Sequence, residues 1–152
     1  NAHTPADNCV TDYLQKLFDE KKPDTINDVI KLLKDIPEYK NAAINNCGPV
    51  IFSGSKDRRA GKIFVDMTGG TEGSIECFEK LAIAGVGTIV GMHLSDDHRK
   101  NAEKFHINVV IAGHISSDTL GLNILLDEVE KKLGKLEVHG CSGFTRITGI
   151  KR

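Results

Sequence analysis

The feature that most constrains this chain is a rhythm that sets in after Gly48, in which four short apolar runs bounded by glycine or turn residues are separated by stretches of helical periodicity. The runs are PVIFSG from Pro49, KIFVDM from Lys62, VGTIVG from Val86 and NVVIAG from Asn108. Helical patterns occupy Ser74 to Ala84, Ser95 to Phe105 and Ser117 to Leu133. Such alternation predicts an α/β fold built of βαβ units, with a mainly parallel sheet and helices on its faces. Runs as uniformly apolar as VVIA fit strands buried on both sides. A last pair, LEVHG and FTRIT, flanks the turn Gly140 to Gly143 and is expected to supply antiparallel edge strands at the C-terminus.

Residues 1–47 read differently. Val10, Tyr13, Leu14, Leu17 and Phe18 recur with helical spacing behind Pro5, a good first-turn residue, and predict a helix ending near Glu20. A second helix is capped by Thr25, has Asp28 in its first turn and buries Ile26, Val29, Ile30 and Leu33; a short third runs from Pro37 to Asn45. The expectation is therefore one α/β domain over 1–152, with a helical segment (1–47) before an alternating core (48–152). Its 152 residues suffice for a core without staples.

Charge excludes some partners. With 20 Lys plus Arg against 21 Asp plus Glu, no net field draws the chain to nucleic acid or to an anionic membrane. The one basic cluster, Lys56, Arg58, Arg59 and Lys62, reads as a solvated loop. No apolar run approaches the roughly 20 residues of a membrane span, and a cytoplasmic location is the expectation. Cys9, Cys47, Cys77 and Cys141 are scattered with no C-x-x-C pair, which argues against a zinc ribbon and a disulfide scaffold and for free thiols.

Ligands of open α/β sheets collect beyond the carboxyl ends of the strands. Here those ends lead into TGGTEG, GMHLSDDH and GHISSD, which bring His93, Asp96, Asp97, His98, His114 and Asp118 to one edge. His114 and Asp118 stand four apart, as do His3 and Asp7 in HTPADN, and imidazole and carboxylate are suitable ligands for divalent cations. Each pair has a plainer reading. Ser116, Ser117 or Asp118 can simply cap the last helix, and Thr4 can cap the first. His93 is the member expected to point into the crevice, whereas His98 belongs equally to a capped, acid-rich helix start. His106 and His139 lack such a setting, and Cys141 is a conceivable nucleophile for which no base is placed. In TGGTEG, Gly69, Gly70 and Gly73 can offer backbone N–H groups to a phosphate, although the motif is neither a dinucleotide fingerprint nor a Walker sequence.

Taken together, HTPAD, MTGG, GMHLSDDH and AGHISSD resemble the Nif-three-like family of dinuclear metal proteins, sometimes labelled GTP cyclohydrolase type 2 homologues, in order and spacing over most of the chain. The resemblance implies that Asp7, His114 and Asp118 are metal ligands, with His3 in or beside the first shell and His93 and His98 as additional candidates. It also implies a divalent cofactor, with Zn, Fe, Mn and Mg not distinguished, and a homo-oligomer. Two departures stand out: the family has Glu where this chain has Asp118, and the family's adjacent His-His pair from its first half is missing. The chain also opens on Asn1-Ala2 directly before HTPADN, which leads to the expectation of further protein upstream. Three functions follow: a metal-dependent hydrolase of a small-molecule or phosphate-containing ligand, a metal-binding or metal-delivering protein without turnover, and a phosphate or nucleotide module built on TGGTEG.

Overall fold

The computed structural model describes residues 3–69 and 73–149, the side chain of His3 excepted. Three helices come first: α1 (His3–Lys21), α2 (Ile26–Asp35) and α3 (Pro37–Ile44). The expected strands follow as β1 (Val50–Ser53), β2 (Lys62–Asp66), β3 (Val86–Gly91) and β4 (Asn108–Ile111), interleaved with α4 (Cys77–Ile83), α5 (Asp96–Lys104) and α6 (His114–Leu133). Sheet order is β1-β4-β3-β2. β2 pairs parallel with β3 and β3 parallel with β4, whereas β1 lies antiparallel against β4.

The direction of β1 has a simple cause. Parallel neighbours need a crossover of a dozen or more residues, and only residues 54–61 join β1 to β2. That short segment crosses from one edge of the sheet to the other beneath the strand starts. Asn108 holds it there, donating from Nδ2 to the Arg59 carbonyl (3.2 Å) and the Gly87 carbonyl (2.8 Å), and Thr88 donates to the Ala60 carbonyl at 2.6 Å. The basic cluster sits on this crossing, with Lys56, Arg58, Arg59 and Lys62 all exposed.

Neighbouring residues of the central strands serve opposite cores. Val90 and Val110 join Val10, Leu14, Phe18, Val29, Leu33 and Leu120 beneath α1, α2 and α6. Ile89 and Val109 join Phe78, Ala102 and Ile107 beneath α4 and α5. The result is a three-layer α/β/α arrangement, and the two-sided burial explains why these strands read as unbroken apolar runs. At the β2 edge, Gln15 of α1 donates from Nε2 to the Ile63 carbonyl (3.1 Å) and accepts from the Val65 amide (3.1 Å). α2 starts at a capping box in which Thr25 and Asp28 bond reciprocally, and the Thr25 hydroxyl holds the Asp28 carboxyl below its ordinary value.

The C-terminal strands do not form. Residues 134–149 contain no strand; their polar groups pair with side chains of α6 instead. Arg146 donates to Asp127 Oδ1 (2.6 Å) and Glu130 Oε2 (2.8 Å), while the buried Asn123 donates to the Thr145 carbonyl and accepts from the Ile147 amide. Alternation alone does not make a strand when no sheet edge is within reach. Here the antiparallel edge is β1.

Candidate functional site

β3 and β4 end side by side. Gly91 is in register with Ile111, and the Ala112 amide donates to the Gly91 carbonyl at 2.8 Å. β3 then continues through the buried Met92 to His93, and β4 through the buried Ala112 and then Gly113 to His114. His93 and His114 meet as a consequence, their rings stacked at 5.2 Å between centroids and 14° between planes. Parallel registry of two strand ends is what brings together residues 21 positions apart in the chain.

The helix carrying His114 begins earlier than expected. None of Ser116, Ser117 and Asp118 caps it: Gly113 occupies the N-cap position, and both serines lie inside the first turn, donating back to the Gly113 carbonyl at 3.2 Å and 2.6 Å. Gly113 has φ +106°, and a Cβ there would lie 2.8 Å from Ser116 Oγ and 3.2 Å from the Cys47 carbonyl, so only glycine fits. Asp118 is thereby released from capping and stands one turn beyond His114, with Nε2 to Oδ2 at 3.7 Å. Both side chains are partly open to solvent, at 42% and 33%.

α1 supplies the other pair. His3 and Asp7 lie in its first two turns, and Asp7 is buried at 7% exposure. Ala6 packs against Gly121, one turn beyond Asp118, so the starts of the two helices lie together. Beneath them Tyr39 of α3 donates to Ser117 Oγ at 2.9 Å, because the serine's own hydrogen is committed to Gly113. Burial pushes the Tyr39 phenol well above its ordinary range, and the nearby charges of Glu38 and Asp118 add to that shift. Tyr39 and Ser117 therefore fix the first turn of α6. The sequence signal for Tyr39 was merely one aromatic residue in a short helix.

Other candidates are placed elsewhere or serve other purposes. His98 is buried, with Nδ1 at 2.8 Å from Ser95 Oγ, Nε2 at 3.3 Å from the Gly73 carbonyl, and its ring edge-on to Phe78. These contacts tie the start of α5 to the turn before α4. Gly73 adopts φ +70° in open space and Gly69 follows shortly on β2, whereas Gly70 lies outside the described residues. His139 pairs with Glu137 on the surface. All four cysteines are free thiols, and burial raises the pKa of Cys9 and Cys77. Among the described residues, no three His, Cys, Asp or Glu side chains already face one point as a metal cluster would.

Beside His114 opens a cleft of about 540 Å³ between α3, the first turns of α6 and the segment 143–147. Sequence reading missed it. One wall is the C-terminal segment that was expected to be strand.

No family model and no curated protein matches the chain. Among solved structures, it is similar to a NIF3 superfamily protein from Sphaerobacter thermophilus, with a TM-score of 0.65 and 24% identity over 85% of this chain and 46% of that one. It is also similar to reduced HcgD from Methanocaldococcus jannaschii, with a TM-score of 0.53 and 16% identity over 74% of this chain and 41% of that one. The chain thus spans about half the length of either structure. The likeness is one of fold, and the fold of this chain is NIF3-like.

Proposed function

We propose that this chain binds a divalent metal ion through Asp7, His114 and Asp118, with His93 as a further donor and His3 in or beside the set, and that it acts as a metal-dependent hydrolase. The observation carrying the reading is the meeting of His93 with His114, with Asp118 one turn on, at the paired ends of β3 and β4. The donor chemistry fits Zn, Fe, Mn or Mg in type, two imidazoles with two carboxylates. Stacked rings do not aim their nitrogen lone pairs at one point, so binding requires a rotation of His93 or His114 about its side-chain bonds. The shorter Asp118 carboxylate is served by its position one turn beyond His114 on α6, 3.7 Å from that ring.

A bound cation of this kind supplies an acidified water near neutral pH. The chain's own residues do the rest. In this reading Asp118 orients the His114 ring, Tyr39 and Ser117 hold the turn that carries both, and His93, where its ring stays off the cation, takes or returns a proton, a role for which both nitrogens of His98 are already engaged. Small-molecule or phosphate-containing substrates, homo-oligomeric assembly and a cytoplasmic setting belong to the same reading. No described helix is long and apolar enough to cross a membrane.

The test is elemental analysis of the chain after loading with each cation, beside His114→Ala, followed by a phosphoester and nucleotide panel. Stoichiometric metal lost in the variant, with turnover, supports the proposal. Metal content and all hydrolysis unchanged by His114→Ala would overturn it, and metal without turnover would select the delivery protein.

A further inference from the structure

The cleft that opens beside His114 has walls with a chemistry of their own. Its volume of about 540 Å³ lies in the range of small-molecule sites. Ile115 follows His114 directly in the chain and Thr119 stands one turn further on, so a single face of α6 forms one wall. Ala42 of α3 and Ile147 of the C-terminal segment form the others.

Several polar protons of this lining are already committed to the chain's own carbonyls. Thr119 donates back to the Ile115 carbonyl at 2.8 Å, Ser116 to the Gly113 carbonyl at 3.2 Å, and the Cys47 thiol to the Asn45 carbonyl at 3.3 Å. A hydroxyl or thiol has one proton to give, so none of the three has a second for an entering ligand. Ile115 is in the opposite position. It is 76% exposed and belongs to neither buried cluster of the fold, so its apolar surface is still in water. A lone exposed isoleucine is ordinary on a protein surface. One that walls a cavity of ligand size, across from a second isoleucine and next to a histidine of the site, is arranged to be covered by an apolar group.

We infer that the cleft is the specificity pocket of the His114 site: it receives an apolar group, a ring or a branched chain, carried by the small molecule whose reacting end lies at His114, with Ile115 and Ile147 selecting that group. The inference deepens the proposed function and rests on it for the reacting end alone. It narrows the substrate class to molecules that carry such a group.

Cyclohexanol and inositol make the test, since both are neutral carbocycles of one ring size and differ in whether the ring is bare or covered with hydroxyls. Backbone amide shifts of the unaltered chain are followed by NMR during titration with each. Cyclohexanol is expected to move Ala42, Ile115, Thr119 and Ile147 with a Kd of about 1–10 mM, as suits so small a ligand. Inositol is expected to leave them in place. Ile115→Asn should weaken cyclohexanol by about 5-fold without disturbing the core. Ile44→Asn is the control, because Ile44 is equally exposed at 77% on α3 but stands outside the lining, and it should change nothing. Equal or better binding of inositol, no response to cyclohexanol at about 50 mM, or equal weakening by the two variants would overturn the inference. Each titration is repeated with zinc and the metal content measured: cyclohexanol binding without zinc uptake sinks the metal reading alone, and zinc uptake without cyclohexanol binding sinks this inference alone.

Discussion

Gly121 of α6 lies so close to Ala6 of α1 that a Cβ on it would stand 2.6 Å from the Ala6 carbonyl oxygen and 3.0 Å from the Ala6 Cβ. Backbone oxygen cannot swing aside as a side-chain end can. Glycine is therefore what lets the two helix starts, with Asp7 on one and Asp118 on the other, share one end of the molecule.

Gly121→Ala reverses the usual sign of that substitution. In an exposed helix it would gain about 1 kcal/mol of propensity, whereas here overpacking is expected to cost about 1–3 kcal/mol. Urea unfolding measures it. A variant as stable as the native chain would show that α1 and α6 can part without penalty.

Tyr39 predicts an alkaline limit. Its folded pKa is raised above the ordinary 10, so the stability it confers is complete below that value and is lost as pH rises towards the folded one. Above about pH 10 the native chain should therefore lose about 1.4 kcal/mol per pH unit more steeply than Tyr39→Phe. Identical slopes in urea midpoints across that window would show that the phenol ionises without consequence. Below it the variant should be weaker by about 1 kcal/mol, the worth of one hydrogen bond to Ser117.

Arg146→Met should detach the C-terminal segment rather than unfold the domain. The guanidinium is 10% exposed and joins that segment to Asp127 and Glu130. Without it the two carboxylates, three positions apart on α6, repel each other. Limited proteolysis should cut 135–149 about 10-fold faster with α6 intact, consistent with the low end of local opening energies. The Glu130 carboxyl is held below its ordinary value first by the Leu136 amide and then by Arg146, so its contribution is present above that ordinary value and is lost as pH falls through the folded one. Acid should loosen the native segment in the same way.

His98 and His93 should separate cleanly. His98→Ala removes the link between Ser95 and Gly73 and is expected to cost about 1–3 kcal/mol of stability while leaving metal uptake intact. His93→Ala should do the reverse. Calorimetric zinc titration and thermal unfolding of both variants decide it, and a loss of zinc in His98→Ala would reassign the ring.

Strands and helices were legible because their periods are local properties of the chain, and the strand-end rule gathered His93, Asp96, Asp97, His98, His114 and Asp118 at one edge, where His93 and His114 meet. What stayed hidden depended on partners distant in sequence. Ser116 and Ser117 look like caps until the backbone of Gly113 is known to take φ +106° and accept from both. FTRIT alternates like a strand, but Arg146 finds its two acids on α6 and draws the segment away from the sheet. Glu38 gave no signal, since its burial is decided by Asn123, 85 residues later.

The Gln15 bracket on β2 has a consequence for assembly. A side-chain amide that accepts from Val65 and donates to Ile63 occupies one residue's place in a ladder that the sheet would otherwise offer to a fifth strand. Such a plug discourages edge-to-edge growth, the commonest route from an open sheet to aggregates. Any neighbour that joins this fold without displacing Gln15, whether another copy or another protein, must arrive through its helices or along β1.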